Sequence, residues 1–575
     1  MWRKLIAMGE LDREALRVRC LRVQKRVERI AGSVNRRRDE RRTLSQQPKS
    51  REPGFAGWVA QFKDEITSPP DRGSLAPIVI QEELAYHAVA GDVPVEVAAE
   101  IQAHPELYPG LRIRETTTRT YPTGSIAAHL VGARTRVADS DDPHRVGRSG
   151  VERSFDGRLR GIDGERTVKY NRRGEVISSR VNREPVSGRD VVLTVDLRLQ
   201  KSAESLLDQA LEGSAEPSTV TESSLPAGGC AVVIDVHSGE VLTMANAPRY
   251  DLNLLTQANS AEWKATVKDP RHPLFPRATQ MTAPPGSVYK VLTAVAMLEG
   301  GGLDGDEHRL CRGYLDRPDR HRCYIYRHHG VGHGEVNLRS ALAQSCNVYF
   351  FEAARAMGPA PMVQWSQRFG FGQRTGIDLP FERGGNLPAP PDKNAPGQNS
   401  KRWYPGDTLG LAIGQSRLTV TPLQVARMMA AIANGGYLVT PRAVDQDGAD
   451  SNALGSSFAA SQRRRIRGLS SGTVEQIRRG LFSAVQDPGG TGFKTVRLDS
   501  VSIAGKTGTA EVGKTRRDHA WFAGYVPANR PQYAFVVMLE HGGSGGESAG
   551  PVAKKLVQAM INHDLLETDT IAQSN

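Results

Sequence analysis

Leu, Val and Ile recur at helical spacing through "LDREALRVRCLRVQKRVERIAGSVNRRR", so residues 10 to 40 read as one heavily charged helix. Residues 43 to 75 are polar and broken by prolines. From 76 to 190 the pattern turns β-rich with short helices. "VPVEVAAEIQAHP" has helical periodicity, while "LRIRETTTRTYP" alternates as a strand does. "VVLTVDLRLQKSAESLLDQAL", 191 to 211, reads as a strand running into a helix, and the Ser-, Thr-, Glu- and Pro-rich stretch from Glu212 to Ala227 as a loop.

A new core begins at "CAVVIDVHSGEVLTMAN", where two apolar runs flank the turn signal His237-Ser238-Gly239. The chain then reads as mostly helical until about 437, interrupted by the proline-rich loop Leu387 to Ser400. Thr421-Pro422 supplies an N-cap and a first-turn proline for the helix "LQVARMMAAIAN". Strands return at "VSIAGKTGTAEV", "HAWFAGYV" and "QYAFVVMLE", and "VAKKLVQAMI" closes with a helix. This order predicts an α+β fold: an antiparallel sheet covered by helices, its strands drawn from both ends of the domain.

At 575 residues the chain is too long for one core, and two or three domains are expected. Hydrophobic residues at 39% and charged residues at 24% fit a globular protein rather than a disordered one. The net charge of +12 is concentrated in the arginines of residues 11 to 42. Nucleic-acid binding is one reading of such a run, but no groove-reading motif accompanies it. A solvated helical face beside a membrane surface is preferred, and no nucleic-acid partner is expected. No run of about 18 apolar residues is present, so no membrane span is expected within this sequence. Five cysteines, odd and sparse, argue against a disulfide scaffold.

The candidate chemistry starts at "APPGSVYKVLTAVAMLEG". Pro284-Pro285-Gly286 cannot continue a helix, which places Ser287 at a helix N-terminus. Lys290 lies one turn further on the same face, in an otherwise apolar helix. A desolvated lysine is neutral more readily and can take a proton from the serine. Ser-x-x-Lys alone is weak, because a capped helix with a surface lysine gives the same letters. Two further motifs follow in order: Ser345-Cys346-Asn347 at a helix end, and Lys506-Thr507-Gly508-Thr509 on a probable strand. Gly508 removes a side chain where a substrate must approach the strand edge. The ordered trio is the set found in penicillin-binding proteins and class A β-lactamases.

On these motifs the sequence resembles the class B penicillin-binding proteins, and within them the elongation-specific branch. "GDTLGLAIGQSRLTVTPLQVARMMAAIANGG" and "HAWFAGYVP" look like the segments that flank the Lys-Thr-Gly strand there. "YPTGSIAAHLVG" and "GRSGVERSFDGRLRGIDGERTVKYNRRGEVI" resemble the family's non-catalytic pedestal, the dimerisation domain. The resemblance implies a pedestal over 1 to 190, a connector over 191 to 227 and a penicillin-binding, serine β-lactamase-like transpeptidase domain over 228 to 565. It implies that Ser287 attacks the D-Ala carbonyl of a peptidoglycan stem peptide and that Lys290 is the general base. Ser345 would relay a proton, Asn347 would donate its amide to the substrate backbone, and Lys506 would keep Lys290 neutral. Thr507, Gly508 and Thr509 would bind the substrate, and the amides of Ser287 and Thr509 would form the oxyanion hole. No cofactor is implied for the chemistry. The implied partners are stem peptides, β-lactams, a membrane glycosyltransferase and other proteins of the elongation machinery. Such proteins sit in the inner membrane with an extracytoplasmic catalytic domain; the usual anchor and the Arg-Gly-type opening of the pedestal are not among these letters, so a misassigned start, a trimmed sequence and another mode of anchoring are the alternative expectations. Ser416 departs from the family pattern, standing where Gly is usual after Gly414-Gln415. A serine β-lactamase, a D,D-carboxypeptidase and a non-enzymatic β-lactam sensor or scaffold are rival expectations. The long N-terminal region counts against the first and the intact motif set against the last.

Cys311, Cys323, His333 and Cys346 form a second cluster. Three cysteines and one histidine suit a closed tetrahedral zinc site. A Cys311–Cys323 disulfide competes with it, as do three small core residues beside a surface histidine. His321, His328 and His329 compete as the fourth ligand. The resemblance favours the zinc, since some elongation-specific members carry one in this region.

Overall fold

The computed structural model describes residues 13–46, 77–90, 93–114, 119–136, 145–171, 176–212, 226–255, 261–300, 302–390, 402–445, 463–513 and 516–568. Most of the polar 43 to 75 segment, of the 212 to 227 loop and of the end of the proline-rich loop lies outside them. The chain forms two compact units, one of residues 1–118 with 139–143, the other of 119–138 with 144–575.

In the first unit the charged helix α1 runs Arg13–Gln46, somewhat beyond the expected end. Asn35 fixes it to the following segment, donating to Ile78 O and accepting from Ile78 N at 2.8 Å. Helix α2, Val95–Ala103, forms as predicted and buries Val97 and Ile101 with Tyr108. The strand expected over 111–122 is absent from its described parts, 111–114 and 119–122. Its alternation is real, because Leu111 and Ile113 both pack on the Val97 cluster. With no partner strand beside it, the extended segment makes no ladder.

In the second unit, strands β1 (Glu165–Tyr170) and β2 (Val176–Arg183) pair as an exposed hairpin. The strand expected at 191–196 is again an extended segment, joined to Val444 by a single bridge at Leu193. Val191, Leu193 and Val195 alternate into the core, which satisfies their hydrophobicity without a ladder. Helix α3, Leu197–Glu212, follows as predicted. Its buried Glu204 accepts from Ala127 N at 2.9 Å and from Gln200 at 2.7 Å, and pairs with Arg249 at 3.0 Å. This fastens the 119–138 segment to the sheet that follows.

That sheet has five antiparallel strands: β3 (Gly228–Asp235), β4 (Val241–Ala247), β5 (Ala504–Ala510), β6 (His519–Val526) and β7 (Tyr533–Glu540). Their spatial order is β5-β6-β7-β3-β4, so strands from both ends of the domain meet at the β7–β3 pairing, as predicted. The strands read as continuous apolar runs because helices cover both faces. Cys230, Val232 and Ile234 face one core with α8 (Pro422–Ala433); Ala231 and Val233 face the other with α3 and α10 (Gly550–Asn562). Helix α8 is buried along nearly all its length, which explains its almost wholly apolar sequence. Thr421 caps it as expected, accepting from Gln424 N at 3.2 Å.

Ser287 lies in a 3-10 turn, Gly286–Tyr289, that feeds directly into α4, Lys290–Gly300. This turn packs on strand β5, and two glycines permit the approach. A Cβ on Gly508 would meet Val288 Cγ2 at 2.8 Å and Pro285 O at 2.9 Å; one on Gly286, whose φ is +55°, would meet Thr509 O at 2.4 Å. Gly508→Ala must therefore push the serine turn off the strand. Overpacking of this kind costs roughly 1–3 kcal/mol, so thermal melting should show a clearly lowered Tm. An unchanged Tm would mean the turn and strand are not held this closely.

Candidate active site

Helices α6 (Leu338–Ala343) and α7 (Asn347–Met357) are separated by a sharp bend at Ser345 and Cys346. Ser345 adopts φ +56°, the left-handed region that non-glycine residues rarely enter. Cys346 is the N-cap of α7, its sulfur accepting from Tyr349 N at 3.5 Å. The bend aims Ser345 and Asn347 at Lys290. Lys290 Nζ donates to Ser345 O at 2.7 Å, Ser345 Oγ at 3.1 Å and Asn347 Oδ1 at 2.7 Å. The Ser287 hydroxyl is not among these partners.

Asn347 Nδ2 donates to Arg322 O at 2.9 Å, which fixes the amide orientation and leaves its second N–H for another acceptor. Lys506 points inward from β5, and its Nζ donates to Thr507 O at 3.3 Å. Both lysines are 0% exposed. All their hydrogen-bond acceptors are uncharged oxygens. Among the described residues neither forms a salt bridge, the usual requirement for a buried cation.

Desolvation therefore dominates. It pushes Lys290 down to about 8, against the opposing pull of the charges of Cys323, Cys346 and Cys311. Burial also drives Lys506 well below its ordinary value, and the neighbouring Lys290 charge adds to this. Two amines in one dry cleft titrate as a pair, so charging either one disfavours charging the other.

The cleft wall beyond Lys506 is made by β5. Thr507 Oγ1 donates to Thr491 Oγ1 at 2.8 Å, and Thr509 Oγ1 accepts from Gly545 N at 3.2 Å. Gln415 Nε2 donates to Thr509 O at 3.4 Å, while Gly286 N donates to Gly414 O at 3.0 Å. The "GQS" stretch is thus wedged between the serine turn and the strand. Ser416 has φ +67°, the conformation that explains why glycine is usual there. Neither Thr491 nor Gln415 was assigned a place from the sequence. Gln415 could have been found from its position directly after a glycine that ends an apolar helix.

The second cluster converges. The ligand atoms of Cys311, Cys323, His333 and Cys346 all lie within 4.8 Å of one another. Cys311 Sγ is 3.6 Å from Cys323 Sγ and 3.4 Å from His333 Nδ1, and Cys323 Sγ is 3.8 Å from Cys346 Sγ. Tetrahedral coordination at ordinary zinc distances gives edges of about 3.8 Å for S···S and about 3.5 Å for S···N. The donors fit that shape. The sulfur separation exceeds the ~2.05 Å of a disulfide, and all the cysteines are free. His321 packs against Phe351 and His328 against Tyr324 instead. Backbone amides of Asn347 and Val348 point at Cys323 Sγ at 3.2 and 3.4 Å. Cys311 is drawn far below the ordinary thiol range by hydrogen bonds from Cys323 and Cys346.

Comparison with known proteins identifies the family. Residues 229–558 match the penicillin binding protein transpeptidase domain, and residues 28–193 match the penicillin-binding protein dimerisation domain. The chain is 30% identical over 488 residues to the peptidoglycan D,D-transpeptidase MrdA of Escherichia coli K12, covering 80% of this chain and 73% of that one. It is 32% identical to MrdA of Acinetobacter baumannii, covering 77% and 67%. Among solved structures, penicillin-binding protein 2 of Pseudomonas aeruginosa superimposes with a TM-score of 0.63 at 29% identity, covering 81% and 96%. The Helicobacter pylori protein in complex with MreC gives 0.68 at 25% identity, covering 83% and 85%.

The lysine environment fixes a pH dependence. Lys290 can accept a proton only when neutral, and its depressed value means it is protonated below about pH 8 and neutral above it. The acylation rate constant of Ser287 with a penicillin should rise with pH, reach half its maximum near 8 and level off above that. A flat profile between pH 6 and 9 would contradict a titrating base.

Proposed function

The chain belongs to the penicillin-binding protein transpeptidases, and from that premise we propose how its residues carry the reaction. The protein is a serine-type peptidoglycan D,D-transpeptidase of cell-wall elongation and shape maintenance, inhibited by β-lactams. Ser287 Oγ adds to the carbonyl carbon of the penultimate D-Ala of a donor stem peptide. Lys290 accepts the hydroxyl proton; such contacts are often long before substrate binds and tighten in the complex. The amides of Ser287 and Thr509 receive the oxyanion. The C–N bond to the terminal D-Ala breaks, and the proton passes from Lys290 through Ser345 to the departing amine. The amine of a second stem peptide then attacks the ester. Its proton returns to Ser287 Oγ as the new peptide bond forms.

Lys506, Thr507 and Thr509 take the terminal carboxylate of the donor, Gly508 leaves room for the serine turn rather than for substrate, and Asn347 gives its second amide N–H to the donor backbone. The carrying observation is the pair of fully buried, carboxylate-free lysines, with Lys290 held on Ser345 and Asn347. Residues 228–565 would then be the transpeptidase domain, 1–190 the pedestal and 191–227 the connector. None of the described helices is long and apolar enough to cross a membrane. Inner-membrane attachment with an extracytoplasmic catalytic domain is part of this reading. A membrane glycosyltransferase and other elongation proteins are the partners in this reading. The Helicobacter complex with MreC supports them.

The first test is intact-mass spectrometry with a penicillin. The wild-type chain should gain one penicillin mass, and Ser287→Ala should gain none. Equal labelling of the variant would overturn the assignment.

Cys311, Cys323, His333 and Cys346 are proposed to hold a structural zinc. All four positions are filled by protein, so the ion would order the bend carrying Ser345 and Asn347 rather than act on substrate. Protein purified without added metal should contain about one zinc per chain, and Cys346→Ser should contain less. Chelation should lower Tm and slow acylation together. Metal-free protein with an intact Tm would refute the zinc.

A further inference from the structure

On the transpeptidase reading, on which this inference rests, two backbone N–H groups must aim at one oxyanion from different elements. Ser287 offers one from its 3-10 turn and Thr509 the other from strand β5. Strand β5 is the edge of its sheet and pairs on one side only, with β6. The Thr509 carbonyl faces the unpaired side, because it stands against Gly286 and accepts from Gln415, both outside the sheet. In an antiparallel strand the N–H and C=O of one residue point the same way, so the Thr509 N–H opens onto that side too. Backbone on this edge has little to hold it. Gly508, just before, adds no Cβ to stiffen the strand. The bond from Gly545 N ends on the Thr509 hydroxyl, not on its peptide groups.

A further strand would steady the edge, but it would also consume the Thr509 N–H. A single side-chain donor does not. Gln415 Nε2 takes only the carbonyl, at 3.4 Å. Gln415 is itself anchored. Its backbone N–H donates to Gly410 O at 2.9 Å, and Ala412 O accepts from Thr293 Oγ1 of α4 at 2.8 Å. Ser416 completes the turn in its left-handed conformation, and its hydroxyl fills the space that a side chain on Gly410 would need. The turn therefore rides on the helix that carries Lys290. Gly414 holds the other arm. Its carbonyl accepts from Gly286 N at 3.0 Å, and a Cβ on Gly414 would clash with Gly286 O. Gly286 directly precedes Ser287. Two adjacent residues, 414 and 415, thus grip the chain beside each of the two donors.

We propose that Gln415 is a positioning residue of the oxyanion hole. Its amide stands in for the missing neighbour strand at Thr509 O, and with Gly414 it sets the separation of the Ser287 and Thr509 amides. The Thr509 N–H stays available to the reacting carbonyl oxygen. Gln415 acts through Thr509 and forms no bond to the reacting atoms.

The test uses a penicillin carrying carbon-13 at the β-lactam carbonyl. Rapid-quench acylation gives the rate constant, and infrared difference spectra give the carbonyl stretch of the acyl-enzyme. Hydrogen bonds to that oxygen lower its frequency, so the wild-type band should lie below that of the same ester in denatured protein. Gln415→Met keeps the length without a donor, and Gln415→Glu keeps the shape with acceptors only. Both should move the band up toward the denatured position. Both should slow acylation by about ten- to a hundredfold, less than the loss of an oxyanion donor outright. A band or a rate constant equal to wild type in either variant overturns the proposal; slower acylation with an unmoved band is the mark of a merely structural role. Gain of one penicillin mass by the wild-type chain tests the transpeptidase reading separately. A wild-type chain that gains none overturns that reading and this inference with it.

Discussion

Two lysine amines buried in one cleft without a carboxylate are the constraint on which the rest of the site depends. A buried ammonium normally needs an anionic partner, and the desolvation penalty otherwise drives it toward the neutral form. Lys290 and Lys506 are both fully buried, and their hydrogen bonds end on hydroxyl, amide and carbonyl oxygens. The scaffold keeps them dry from two sides. The serine turn and helix α4 close on strand β5 through Gly286 and Gly508, and the Ser345 bend closes over Lys290. The cost of burying two amines is met by the double-faced core of the sheet, where apolar residues of β3, β4, β6 and β7 are covered on both sides. Stability elsewhere in the fold is thus what allows a poised base here.

The cysteine cluster bears on the same constraint. Cys323 accepts from the amides of Asn347 and Val348, while Cys346 lies between the two residues that hold Lys290. Negative charge anywhere on the cluster would oppose the effect of desolvation on Lys290, since a nearby negative charge favours the ammonium. A cation bound among them would offset that charge as well as brace the bend. In this account the cluster and the base form one electrostatic unit.

Much of this was legible in the sequence because it rests on local rules. The Ser-x-x-Lys spacing needs only one helical turn, the Lys-Thr-Gly segment sits in a strand-like run, and Thr421-Pro422 obeys capping chemistry. The hairpin at His237-Ser238-Gly239 and the closing helix follow from periodicity in the same way. The extended segments at 111–114 and 191–196 were read as strands because alternation records which side is buried, not whether a partner strand stands beside it. Long-range facts were also beyond reach. Sequence spacing places Lys290 one turn from Ser287, yet its amine turns to Ser345 and Asn347, more than fifty residues away. The left-handed Ser345 bend, the Thr491–Thr507 contact and the Arg327–Glu511 bridge likewise join segments that only the fold brings together. Cys311, Cys323, His333 and Cys346 stand out together in the sequence, but that their side chains converge, while His321 and His328 pack on aromatic rings, needed coordinates.

The central claim is that Lys290 is the base, its amine made easier to deprotonate by burial, and one substitution tests it most directly. Lys290→Arg preserves length and polarity but carries a guanidinium that stays protonated in proteins. Rapid-quench acylation of the folded variant by a penicillin, with Tm measured alongside, separates loss of the base from loss of structure. The account predicts a rate constant lower by about two to four orders of magnitude, the usual contribution of a general base, with a cooperative melt retained. Acylation at close to the wild-type rate would contradict it.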